Sequence, residues 1–529
     1  MKDELAKRLE ASGLFDAAWY QRTYPDVSGS GLTPWVHFLN YGLDWSRTPG
    51  PRFDPDAYLE ANPDVARAGE NALTHYLMLG QAEGRALARQ LPWPEAPLPE
   101  RLPDWFGGWP GKAPEGVQRI LYVLSLQSGG TPQTNQDLMS ALQGRAECLV
   151  LRCEERELTL YLFQSGIYVS LERHELAAPI SPYPHSSAEY DEVVSRWLDA
   201  YGVTLVHVRH LAWQSLGLMD AAHRQGVPVV FSFHDYYPVC PSVKLLDENQ
   251  RFCAGRCTAS RGECSQELWE PELMPALKHA GIHAWQRQFA AALALCDGFA
   301  TTSQAARSLL LSVFPTLETQ PFAVISHGRD FPELAELAEC PMPGGRLRIV
   351  VPGHIARAKG AEILHELALM PALGHVEWHV LGTVDDTLPG AWPDNVVVHG
   401  AYQRDAFHQH VARIRPHLGA VLSIWPETWC HTLTELWSAG VPVIGFDIGA
   451  VGERLHQTRA GWAVSPLTAE AVVEALETAV SPMEWQRAAV QVSRWQRDGQ
   501  VGCSQMAEVY WRLYRQVQQR AELTGVVGA

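Results

Sequence analysis

The chain is poor in positive charge: 42 Lys and Arg against 59 Asp and Glu over 529 residues give a formal net charge of -17. That balance speaks against nucleic acid and against a broad basic face for a membrane, since both partners are polyanions. Any anionic ligand must therefore meet a local positive site. Cysteine is also sparse, with ten residues, most of them isolated as in a reducing compartment. No apolar run is long enough to cross a bilayer. The start, Met1-Lys-Asp-Glu-Leu-Ala-Lys-Arg8, is too charged for a signal peptide, and its Lys2-Asp-Glu-Leu5 tetrapeptide sits at the wrong end for a retention signal. The expectation is a cytoplasmic protein, at most peripheral at the inner membrane. What is present is an ordinary folded composition, 46% hydrophobic and 19% charged, in a chain too long for one core.

Residues 15–85 hold a gapless repeat. Phe15-Asp-Ala-Ala-Trp-Tyr20 matches Phe53-Asp-Pro-Asp-Ala-Tyr58, Pro25-Asp-Val27 matches Pro63-Asp-Val65, and His37-Phe-Leu39 with Gly42 matches His75-Tyr-Leu77 with Gly80. Each unit reads as a pair of short helices joined through a Pro-Asp turn. Stacked repeats generally need three or more units to bury their faces, so these two are expected to dock on the next domain, a second subunit or another protein. Trp35, Trp45, His37 and His75 read either as core packing or as a sugar- or partner-binding face.

Five regions follow from pattern: a helical repeat domain over 1–90, a Pro/Gly/Trp-rich linker over 91–117, two α/β domains over 118–340 and 341–500, and a helical segment over 501–529 packing back across the domains. The first α/β domain opens with the apolar strand Gln118 to Leu126, the glycine turn Gly129-Gly130 and a helical pattern from Thr134. Further strands read at Val203 to Val208, Val227 to Phe233 and Asp297 to Thr302. A second series starts at Leu347 to Val351 and reaches Val441 to Phe446. Strands alternating with helices predict two mainly parallel, doubly wound sheets facing a cleft.

Within the second series, Trp425-Pro-Glu-Thr-Trp-Cys-His-Thr-Leu-Thr-Glu435 places two carboxylates, Glu427 and Glu435, eight steps apart at a helix start. Such a rise, about 12 Å, keeps them from touching one atom together and puts them at opposite ends of one ligand. A helix beginning near Cys430 presents the amides of Cys430, His431, Thr432 and Leu433 to an anion. The local pattern alone fits equally a capped helix with two solvated glutamates.

Gly129-Gly130, Phe233-His-Asp235, Ser326-His-Gly-Arg-Asp330, Gly353 to Gly360, Val398-His-Gly400, the Glu427/Glu435 pair and Asp447 to Glu453 occur in this order. With them, residues from about 118 to 515 resemble a retaining glycosyltransferase of the GT-B fold, similar to glycosyltransferase family four. The repeat module resembles those beside catalytic domains in bacterial surface-sugar transferases. The resemblance implies an acceptor domain followed by a nucleoside diphosphate sugar domain, with a glycan, lipid-linked saccharide or protein as acceptor and no catalytic metal or cofactor. It implies that His234 is the active-site histidine, that Glu427 contacts the donor sugar and Glu435 the ribose, and that Lys359 neutralises the diphosphate. The arginine usual after the first glycine is replaced by His354, and Arg357, three residues on, is expected to take the phosphate role, with His354 as the alternative. Two other readings stand beside this one: an inactive glycan- or partner-binding scaffold, supported by that missing arginine, and a GT-B sugar-nucleotide epimerase.

Cys240, Cys253, Cys257 and Cys264 break the pattern of isolated cysteines. Four thiols in a short polar insert read as a structural zinc site, as free thiols or as a disulfide, because the spacing is not a paired Cys-x2-Cys frame.

Overall fold

The computed structural model describes the chain except for residues 1, 25, 51–52, 54, 84, 86–94, 97–115, 126–129, 258–259, 261, 263, 267, 275–276, 279, 332–333, 343, 386–391 and 524–529. Two compact units emerge, one of Met1–Leu91 with Val380–Thr383 and Val398–Phe407, the other of the remainder.

In the first, helices Ala17–Thr23, Asp26–Gly29 and Pro34–His37 are echoed by Pro55–Ala61, Pro63–Ala68 and Ala72–His75. Side chains of Asp16, Thr33 and Asn71 cap helix starts by accepting backbone amides. The repeat preserves its polar interior as well as its apolar one. Tyr20 Oη meets His37 Nδ1 at 3.2 Å and Tyr58 Oη meets His75 Nδ1 at 2.8 Å. Arg47 pairs with Asp26 at 2.9 Å and Arg85 with Asp64 at 2.7 Å. Helix Lys2–Ser12 adds Leu5 and Leu9 to the shared core, supplying apolar cover that two repeats lack. Both histidines are buried and Trp35 packs edge-on against Phe15 at 5.1 Å, whereas Trp45 is 56% exposed.

Of the 91–117 segment read as a linker, only Glu95–Ala96 and residues 116–117 are described; the rest lies outside the described residues. Two sheets follow the repeat region. The first contains β1 (Glu95–Ala96), β2 (Gln118–Val123), β3 (Ala146–Glu154), β4 (Glu157–Gln164), β5 (Ile167–Glu175), β6 (Leu205–Val208), β7 (Val229–Phe233), β8 (Gly298–Thr301) and β9 (Phe322–Val324), in the order β1-β5-β4-β3-β2-β6-β7-β8-β9. Strands β3, β2, β6, β7, β8 and β9 run parallel. An antiparallel meander, β3-β4-β5, extends one side and was not expected from the sequence. One of its turns carries Glu155 at φ 50, a residue type that gives no turn signal.

Along β2 the side chains alternate, Ile120 and Tyr122 entering one core layer, Leu121 and Val123 the other. Helix Cys503–Leu523 covers the first layer with Met506, Tyr510, Leu513, Tyr514 and Val517, spaced three or four apart to make one apolar face. A polar thread runs through this layer from Tyr514 Oη to His207 Nδ1 (2.7 Å) and from His207 Nε2 to Ser232 Oγ (2.6 Å).

The second sheet holds β10 (Leu347–Pro352), β11 (Val376–Leu381), β12 (Val396–Val398), β13 (Leu418–Val421), β14 (Val443–Phe446) and β15 (Gly461–Val464), ordered β12-β11-β10-β13-β14-β15. β10, β13, β14 and β15 are parallel. The expectation of two mainly parallel α/β sheets with a helical region ahead of them holds. Among the described residues no helix is long and apolar enough to cross a membrane.

Candidate active site

Loops leaving β7, β10 and β13 at their carboxyl ends enclose a cavity of about 240 Å³. His234 lines it directly after β7, and both of its ring nitrogens are buried without a hydrogen-bond partner. Burial first, then the Arg209 charge, holds this imidazole well below its ordinary pKa, so it is neutral at neutral pH. Its ring stacks on His327 at 5.2 Å and 15°, and His327 stacks on His431 at 5.1 Å and 15°. Three distant stretches thus build one column of imidazoles. The indole N–H of Trp425, also buried without a partner, lines the same cavity. Buried polar atoms are nearly always bonded, so their gathering here marks a place for a ligand with its own donors and acceptors.

Helix His431–Ser438 opens onto the cavity. Cys430 before it has φ 73 and makes no side-chain cap hydrogen bond. The positive end of the helix favours an anion there. Arg454 fixes this turn by donating to Trp429 O (3.1 Å), Cys430 O (2.8 Å) and Thr434 Oγ1 (2.7 Å), its guanidinium 4.0 Å from the Trp429 ring centroid. Cys430, His431 and Thr432 line the cavity; Leu433, fully buried, does not. Burial, followed by the Glu427 charge, pushes the Cys430 thiol up, so it is not a thiolate nucleophile at neutral pH.

Lys359 ends the short 3-10 turn Arg357–Lys359, and Gly360 follows at φ 80, where a Cβ would lie 2.1 Å from Leu422 O. Only glycine fits that turn. Lys359 Nζ donates to Glu427 Oε1 at 2.6 Å, and Ser423 Oγ donates to the same oxygen. Burial alone would lower the ammonium, but the Glu427 carboxylate more than offsets it and holds Lys359 above its ordinary pKa.

The other sequence candidates divide. Gly130 lines the cavity so tightly that a Cβ would lie 2.8 Å from His431 Cδ2; Gly129 lies outside the described residues. Glu435 is buried in an ion pair with Arg329 and does not line the cavity. Arg329 lines a neighbouring cavity of about 280 Å³ that shares His327 and Trp429 with the first. Arg357 is half-exposed and pairs with Glu362 at 3.3 Å; neither it nor His354 lines either cavity. The four clustered cysteines lie together elsewhere, around a third cavity.

Residues 128–331 match the family model described as Glycosyltransferase Family 4. Among solved structures, the chain is similar to sucrose-phosphate synthase from Thermosynechococcus elongatus, at 16% identity and a TM-score of 0.52, over 76% of this chain and 100% of that one. It is also similar to Anabaena Alr3699/HepE in complex with UDP, at 14% identity and a TM-score of 0.50, over 75% and 100% of the two chains. The fold is that of the GT-B glycosyltransferases. No curated protein matches the sequence.

Several residues of this GT-B chain were not singled out by sequence reasoning. His327 and Arg329 stand in the quoted Ser326-His-Gly-Arg-Asp330 stretch, which signalled the fold but not their contacts. Arg454, beside Glu453, carried no signal, since its partners at 429, 430 and 434 are set by the packing of helix Gly449–Thr458. Glu453 itself accepts the amides of Gln304 (3.1 Å) and Ala305 (2.6 Å) at the start of helix Gln304–Val313. It links the two α/β halves just behind the candidate site.

Proposed function

We propose that this chain is a retaining glycosyltransferase that moves a sugar from a nucleoside diphosphate sugar to a saccharide, lipid-linked saccharide or protein acceptor, in bacterial surface glycan or glycoprotein assembly. The reading rests on one observation: His234, Trp425, the Lys359–Glu427 pair and the open end of helix His431–Ser438 all line one cavity. The diphosphate binds at the helix end, with Lys359 as the counter-charge that the acidic chain otherwise lacks. The sugar lies toward His234 and Glu427, where the unpartnered imidazole and indole nitrogens meet its hydroxyls.

In the reaction the bond from the anomeric carbon to the phosphate oxygen breaks and a bond to the acceptor oxygen forms on the same face. The acceptor's proton passes to the departing phosphate. Negative charge grows on that phosphate as the bond opens, and the helix amides with Lys359 stabilise it where it develops. His234, neutral, orients the sugar by hydrogen bonds without adding charge beside the cationic anomeric carbon. Glu435 takes the ribose, which requires it to share its carboxylate between Arg329 and the donor.

A calorimetric screen of nucleoside diphosphates and their sugars tests this, starting with UDP because HepE was solved with it. Binding of one nucleoside diphosphate, followed by a transfer product of unchanged anomeric configuration by NMR, is the expected result. Binding of none overturns the proposal.

A further inference from the structure

After the His234–Asp235 turn the chain makes a long excursion before helix Ala280–Leu293. Among its described residues regular structure is limited to the Leu246↔Phe252 bridge and the 3-10 turn Pro271–Leu273. An excursion with so little secondary structure needs another source of order. Cys240, Cys253, Cys257 and Cys264 all line one cavity of about 20 Å³, the room of a single atom or water. None of them is in a disulfide.

We propose that these four cysteines bind one structural zinc ion. Four sulfur donors from one short loop suit a soft-tolerant, redox-inert cation that takes four ligands in a tetrahedron. As placed, no group of three or more His, Cys, Asp or Glu side chains among the described residues, these cysteines included, could hold a metal ion. Loading therefore draws the sulfurs inward, a shift that backbone outside helix and strand accommodates readily. Four thiolates on one divalent cation leave two negative charges. Lys278 lines the same cavity, its Nζ donating to Glu248 Oε2 (2.6 Å) and Ser260 Oγ (3.0 Å). Each ligand gives up its thiol proton as the metal enters, so loading is favoured by rising pH.

The ion would order more than its own loop. Gln286, on helix Ala280–Leu293, donates to both Val239 O and Gly255 O at 3.1 Å, tying the cysteine loop to the segment that leaves the active site. Trp285 Nε1 donates to Tyr237 O at 2.9 Å, three residues after His234. Loss of the metal is expected to loosen the clamp behind His234.

The test is the metal content of the purified full-length chain by mass spectrometry, with zinc release measured colorimetrically while a mercurial reagent titrates the thiols. One zinc per chain, released as four thiols react, is expected. The Cys257→Ser/Cys264→Ser double variant should bind less than a tenth as much, and Cys340→Ser, outside the cluster, should bind a full equivalent. Should the double variant fail to fold, the wild-type release curve still decides. Absence of zinc, iron in its place, or a disulfide among the four by peptide mapping overturns the proposal.

Discussion

Replacing Glu435 by Met exposes how much of the candidate site rests on a buried ion pair. The Arg329 and Glu435 side chains are only 9% and 7% exposed. Removing the carboxylate therefore leaves a guanidinium inside the protein instead of returning it to water. Breaking such a pair from one side costs about 3–5 kcal/mol, whereas replacing both partners by apolar groups is close to neutral. E435M and R329M should each lose about 3–5 kcal/mol, the R329M/E435M double variant less than about 2, and the coupling between them should exceed about 4 kcal/mol. Hydrogen exchange of the amides in helix His431–Ser438 reads this locally, which suits a chain whose domains need not unfold together. A coupling under about 0.5 kcal/mol would refute the reasoning. The same four proteins separate structure from function. If Glu435 contacts the donor, the double variant is stable yet still fails to bind nucleotide; recovery of binding with stability makes the glutamate purely structural.

Lys359→Met should weaken nucleoside diphosphate binding at least tenfold, about 1.4 kcal/mol, by calorimetry; an unchanged affinity removes the lysine from the phosphate site. His234→Ala should lower kcat about 100-fold and change nucleotide affinity little, because the imidazole faces the sugar end; equal loss in both would place it at the diphosphate. Acid should destabilise the first sheet. His185 is lowered to about 4 by burial, and His207 lies well below its ordinary value for the same reason, so both are neutral when folded and protonate more readily when unfolded. Stability is then full above about pH 6.5 and falls with pH toward the folded pKa, each histidine costing about 2 kcal/mol by pH 5. Urea midpoints across that range check it, and a His185→Phe variant should show a shallower slope than wild type.

The sheets were legible because strands such as β2, β7 and β14 are buried along nearly their whole length and so appear as short, mostly apolar runs. The β3-β4-β5 meander was not, since its first turn is charged and Glu155 there adopts a left-handed conformation without advertising it. The glycines at 130 and 360 were visible as a pattern, but their reasons are tertiary: one faces His431, the other the backbone of Leu422. Arg329 and Arg454 remained hidden because a buried cation is recognised by what surrounds it, and Glu435 lies 106 positions from Arg329. Arg357 illustrates the converse, a cation in the expected stretch of sequence that the fold pairs with Glu362.

Lys359 is already occupied by an internal carboxylate, 2.6 Å away. If this is the donor site, an arriving anion has to outcompete Glu427, which monovalent ions and inorganic phosphate would do poorly and a diphosphate bearing a sugar for Glu427 would do well. Under the proposed function the glutamate would thus act as a selectivity filter for a site that a bare lysine would leave open to any abundant anion. On the same reading it would return to the lysine after each departure, a competitor for the product built into the protein.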